Sequence, residues 1–251
     1  MTEVLVILLA VFVGVFTQRL VGFGMPIIVL PAVLVFFPPA SALVITLLIG
    51  IISSILILHE LRRKDKINFK IIITLLPASA IGVITGAYVL TIMSKEALQI
   101  FLGLSILVFL NLERHVLIRK KRKIKIEKNI HFYGLLSGFF KSTVGLSAAP
   151  LMIWMRLYVI RPDQIRILMS YYFLIMNTVA IISIQLFEKS AIANIHTYLF
   201  LLIIPATVVA NHLGSKMANK VNEKSYHRLA YIVLMIAGAI TLASGLNSAL
   251  N

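Results

Sequence analysis

The residues Thr17-Gln18-Arg19-Leu20-Val21-Gly22-Phe23-Gly24-Met25-Pro26 separate two apolar runs, Val4 to Phe16 and Ile27 to Phe37. Each run is shorter than the about 20 apolar residues that cross a bilayer as a helix. The two glycines permit backbone angles that side chains resist, and Pro26 lacks a donor and suits a first helical turn, so a broken helix is expected here. Lipid cannot satisfy the backbone groups that such a break frees. It must be buried in protein or line a wet cavity.

The pattern returns in the middle of the chain. His131 to Phe140 leads into Lys141-Ser142-Thr143-Val144-Gly145-Leu146-Ser147-Ala148-Ala149-Pro150 and then a short apolar run, Leu151 to Val159. Gly14, Pro26 and Pro38 map without a gap onto Gly138, Pro150 and Pro162, and Pro77 and Gly86 repeat the spacing of Pro205 and Gly214. Paired hydrophobic segments interrupted by Gly and Pro in corresponding halves point to a transporter's substrate site.

Between the breaks lie apolar stretches long enough to span: Ala40 to Leu58, Lys70 to Met93 and Ala97 to Leu112 in the first half, and Ile165 to Phe187, Ile195 to His212 and Ala230 to Leu246 in the second. At 60% hydrophobic residues the chain exceeds the roughly 45–50% of soluble domains, so lipid is its solvent. The expected fold class is an all-α integral membrane protein of two repeats, residues 1–112 and 130–251, joined by a basic linker at 113–129. Each repeat is a broken, re-entrant helix pair plus three transmembrane helices. Three is odd, so the second pair enters from the side opposite the first and the repeats are inverted.

Loop charge sets the sidedness. Placing the loops that begin at His59, Glu113, Arg161 and Lys216 on one side gathers nearly all loop Lys and Arg there, which makes that side the cytoplasm and puts both termini outside a cytoplasmic membrane. The first apolar run reads as a retained segment, because Glu3 stands where the basic region of a signal peptide belongs. The net charge of +15 then belongs to loops held near anionic lipid, and no nucleic-acid partner is expected: the run Arg119 to Lys125 has no aromatic platform or binding module beside it.

With these residues in view, the chain resembles the sulfite exporter TauE/SafE family of membrane permeases over essentially its whole length. The resemblance rests on Gly22-Phe23-Gly24 followed by Pro31, and on Leu136-Ser137-Gly138 through Gly145 to Pro150-Leu151. It implies transport of sulfite, a sulfonate or a related small organosulfur or organic anion. It also allows a homodimer, for which the residues themselves give no separate support. The chain departs from the family pattern at Pro26 and at Ser147 to Ala149, where glycine or proline is expected.

The chemistry of the residues agrees with an anion. All nine acidic residues lie in or beside loops, whereas a cation pathway or carboxylate relay needs one inside a span. The breaks hold Arg19 and Lys141 beside the hydroxyls of Thr17, Ser142, Thr143 and Ser147, with Gln18 adjacent and backbone donors expected near Gly22, Phe23, Gly24 and Gly145. Helix N-termini near Met25 and Ala148 would add partial positive charge. Arg19 and Lys141 contact the anion in this reading; the alternative is that both snorkel to an interface. Gln18 either binds an oxyanion or caps freed carbonyls, and Asn177 either meets substrate or bonds another helix. Gly82 and Gly86 have the spacing of close helix packing.

Without cysteine, a carboxylate pair or a histidine cluster, no enzyme, metal site or cofactor is expected, and no GxxxxGK[ST] motif supplies ATP. The reading is a secondary permease holding its anion between the broken pairs with alternating access. Its rival is a non-transporting membrane interaction or assembly subunit whose breaks only serve packing.

Overall fold

The computed structural model describes residues 2–21, 24–61, 69–118, 129–147, 150, 151, 154, 155, 162–218 and 223–250. Among these every regular element is a helix: α1 Thr2–Val21, α2 Met25–Leu34, α3 Pro39–Leu61, α4 Phe69–Ile92, α5 Lys95–Ile118, α6 Ile130–Val144, α7 Pro162–Phe187, the one-turn α8 Ser190–Ala193, α9 Thr197–Ala218 and α10 Glu223–Leu250. Six helices, α1, α3, α4, α5, α7 and α9, are long and apolar enough to cross a membrane. The outward face of α4 shows why lipid must surround them: Ile73, Ile81, Ile84, Tyr88 and Ile92 are all exposed. The protein is an integral membrane protein.

The breaks are narrower than the sequence suggests. Thr17, Gln18 and Arg19 form the last turns of a continuous α1 long enough to span, and Lys141, Ser142 and Thr143 those of α6. Nothing in either triplet forbids a helix, and a helix satisfies its own backbone until a residue with positive φ is required. Those residues are Gly24 (φ 107°) before α2 and Gly145 (φ 75°) after α6. Gly145 ends α6 as a left-handed cap, its N–H donating to Lys141 O at 3.0 Å, and the N–H of Leu146 donates to Phe140 O at 3.0 Å. Of the run after the second break, Leu151, Trp154 and Met155 are described and buried.

Glycine sets how closely the helices cross. A Cβ on Gly138 would stand 2.0 Å from Ser79 O, and Cβ atoms on Gly82 and Gly86 would stand 2.1 Å from Leu135 O and 2.4 Å from Phe139 O, so α4 and α6 meet backbone to backbone. Gly103 and Gly238 do the same for α5 and α10 against Leu242 and Ile106, and Gly214 seats α9 on Arg19 and Phe16 of α1. Two helices that both sit in lipid gain little from burying apolar surface, so close van der Waals approach is what holds such crossings.

The pairings follow a pattern. α4 packs on α6, and α1 packs on α9; if α1 is matched with α6 and α4 with α9, each pairing is the image of the other. The α3–α7 and α5–α10 contacts map onto themselves under the same exchange. Gly86 against Thr143 thus corresponds to Gly214 against Arg19.

Candidate functional site

The two breaks touch. A Cβ on Gly145 would lie 3.1 Å from Pro26 Cβ, which places the start of α2 against the end of α6. Around this junction is a cavity walled by the α1 residue Gln18, by Gly24 to Ile27, by Thr46, Leu47 and Gly50 of α3, by Ile106, Phe109 and Leu110 of α5, by Lys141 and Gly145 to Ser147, and by Phe173 and Asn177 of α7. The α3, α5 and α7 residues lie about halfway along their helices. The cavity volume is about 50 Å³. On a scale where one water needs roughly 10–15 Å³, that is room for a few waters or one small oxyanion.

Lys141 gives this largely apolar cavity its charge. The residue is 4% exposed, and its ammonium lies over the Phe173 ring, 4.3 Å from the centroid. Among the described residues no carboxylate pairs with it. The ring face supplies partial compensation, worth about 0.5–2 kcal/mol, which is small beside the cost of an ion withdrawn from water.

Three further walls carry polar atoms that the fold leaves over. Gln18 Oε1, Ser147 Oγ and Asn177 Oδ1 are buried and have no hydrogen-bond partner among the described residues. An amide presents either its oxygen or its NH2 group by rotating, and a hydroxyl donates or accepts, so all three can face an oxyanion. α2 adds its N-terminus, whose first residues line the cavity and whose dipole favours negative charge there.

The other sequence candidates are placed elsewhere. Arg19 turns away from the cavity and forms an ion pair with Glu60 at the end of α3, and its Nη2 also donates to Ser215 Oγ at 3.3 Å. Ser215 in turn donates to Glu60 Oε1 at 2.6 Å, so the ends of α1, α3 and α9 are tied together. Ser142 Oγ donates to Gly138 O at 3.3 Å and Thr143 Oγ1 to Phe139 O at 2.7 Å, spending both hydroxyls on the helix's own carbonyls. Thr17 is buried with its methyl near Gly24 and does not line the cavity. Gly22 and Phe23 lie outside the described residues.

Phe173, Thr46 and Gly50 also line the cavity and were not among the sequence candidates. Gly50 is required sterically, since a Cβ there would stand 2.6 Å from Asn177 Nδ2. Its place midway along an apolar run was the available signal.

The second break is also anchored from behind. Tyr172 donates to Ser137 Oγ at 2.9 Å, and Ser137 donates to Ser147 O at 2.8 Å, so α7 holds the break through α6.

A family model described as Sulfite exporter TauE/SafE matches residues 6–242. No curated protein and no solved structure matches the chain. The match takes in both breaks, every described helix in whole or in part and all of the cavity, and the chain therefore belongs to the TauE/SafE sulfite exporter family, a family of membrane transport proteins.

Proposed function

We propose that the protein is a secondary permease for a small anion, sulfite, a sulfonate or a related organosulfur or organic anion, and that the anion binds between the two breaks. The observation that carries the reading is Lys141: a buried cation in a cavity with no carboxylate among the described residues. A cation site would need the opposite charge, and an ion pair serving only the fold would have its acid beside it. Gln18, Ser147, Asn177 and the N-terminus of α2 orient the anion around that charge. The packing of α1 on α9 and of α4 on α6 supports two inverted repeats, one moving against the other to alternate access, in a cytoplasmic membrane with both termini outside.

The experiment is uptake of radiolabelled sulfite, thiosulfate, methanesulfonate and a small carboxylate into proteoliposomes holding the full chain. Saturable flux of at least one anion, with half-saturation raised tenfold or more by Lys141→Met, supports the reading. Wild-type half-saturation in that variant would remove Lys141 from the site.

A further inference from the structure

We propose that Lys141 also carries the proton that drives the cycle, so that one proton crosses with each anion. This rests on the anion-permease reading above. Lys141 is the only ionisable side chain among the described residues lining the cavity. A coupled proton that is to meet the anion therefore has one place to ride.

Among the described residues, the elements packed on α6 leave Lys141 without a counter-charge. α4 meets α6 through Ser79, Gly82 and Gly86, while its Lys70 and Tyr88 are exposed. α5 stacks Phe101 on Phe140, sets Phe109 edge-on to it and keeps Lys95 and Glu96 in its first turn, far from the cavity, while the side chains of its Glu113, Arg114 and His115 lie outside the described residues. α7 offers Phe173, Asn177, Tyr172, whose hydroxyl is committed to Ser137, and Tyr171, whose ring meets Phe69. Across the cavity, α1 presents Gln18 and turns Arg19 to Glu60, and α2 and α3 contribute no ionisable group to the wall. On α6 itself His131 and Tyr133 stand at the opposite end.

The charge on Nζ thus has two very different settings. With an anion in the cavity the ammonium is paired. Once the anion leaves, only a ring face and neutral dipoles remain among the described residues, and a buried unpaired ion is the costly form. On one side of the membrane the loaded site, ammonium plus anion, releases the anion and a proton to water and leaves a neutral amine. On the other side the amine takes a proton from water as the next anion binds. Only an N–H bond breaks and forms, and a monoanion crosses with no net charge. The same cation that selects the anion forbids the empty carrier from returning charged.

Methanesulfonate and thiosulfate hold no proton of their own near neutral pH, so any proton that moves with them rides on the protein. In proteoliposomes with an internal pH dye, the expected result is about one proton per anion in wild-type net uptake. A guanidinium does not give up its proton, so Lys141→Arg is expected to keep reduced but measurable anion counterflow while its proton-coupled net uptake falls tenfold or more. Net wild-type uptake without proton movement, or proton movement per anion in Lys141→Arg equal to wild type, overturns the proposal. If Lys141→Arg is inactive even in counterflow, the wild-type proton count decides alone: about one supports the proposal and none overturns it. Absence of wild-type counterflow for both anions would instead overturn the permease reading, and this inference with it.

Discussion

Lys141 Nζ stands 4.3 Å from the centre of the Phe173 ring, and the two residues come from helices on either side of the second break. The ring both holds the ammonium in the cavity and occupies the side where a carboxylate would otherwise be needed. Phe173→Leu keeps apolar volume and removes the π face, which is worth about 0.5–2 kcal/mol. Half-saturation for the transported anion is expected to rise by about two- to thirtyfold with the protein still folded. An unchanged value, measured by uptake in proteoliposomes, would mean that the ring does not position the charge.

Gly138 and Gly134 lie on the same face of α6 and differ in room. A Cβ at position 138 would meet the Ser79 carbonyl at 2.0 Å, whereas one at position 134 would meet Leu75 O at 3.1 Å and Ser79 Oγ at 3.2 Å. Backbone cannot move aside as a flexible side chain can, and overpacking costs about 1–3 kcal/mol or more. Thermal unfolding in detergent should show Gly138→Ala well below wild type and Gly134→Ala much closer to it. Equal losses would contradict the close α4–α6 crossing.

The Arg19–Glu60 pair predicts a sign reversal on double substitution. Arg19 is buried and Glu60 is 38% exposed, so Glu60→Ala takes the paired carboxylate from a buried cation that keeps its bond to Ser215, while water reaches only the lost partner's side. Breaking a fully buried pair costs about 3–5 kcal/mol, and the exposure of Glu60 reduces that to about 1–2 kcal/mol. Removing both charges with Arg19→Met/Glu60→Ala should be less destabilising than Glu60→Ala alone. Melting temperatures of the variants check this, and additive losses would contradict it.

Gly145 has positive φ and abuts Pro26, so Gly145→Ala combines backbone strain of about 1–2 kcal/mol with a contact at 3.1 Å. Transport should fall more than stability does, because the strain sits where the two breaks meet. A loss confined to melting temperature, with uptake per folded protein unchanged, would separate this junction from the site.

The breaks were legible because Gly and Pro stand there together with polar residues between two short apolar runs, and Lys141 was legible because ionised groups in such a chain are rare. The extent of each break was not. Thr17 to Arg19 and Lys141 to Thr143 are polar but fully compatible with a helix, and polarity marks a functional turn without marking where hydrogen bonding stops. Partners were harder still. Arg19 and Lys141 looked alike as cations beside a break, yet in the matching of the halves Arg19 corresponds to Thr143 and Lys141 to Thr17. What separates them is that Glu60 reaches one and nothing acidic among the described residues reaches the other. Nothing in the sequence marked Arg19 and Glu60 as a pair. Phe173, in a run already rich in apolar residues, was not marked either.

In the proposed site Lys141, and not Arg19, holds the anion. Counterflow of radiolabelled sulfite in proteoliposomes, with Lys141→Met and Arg19→Met compared at matched amounts of folded protein, tests it most directly. Half-saturation is expected to rise at least tenfold in Lys141→Met, about 1.4 kcal/mol or more, and to change less than about twofold in Arg19→Met. Wild-type half-saturation in Lys141→Met, or the larger loss in Arg19→Met, would contradict it.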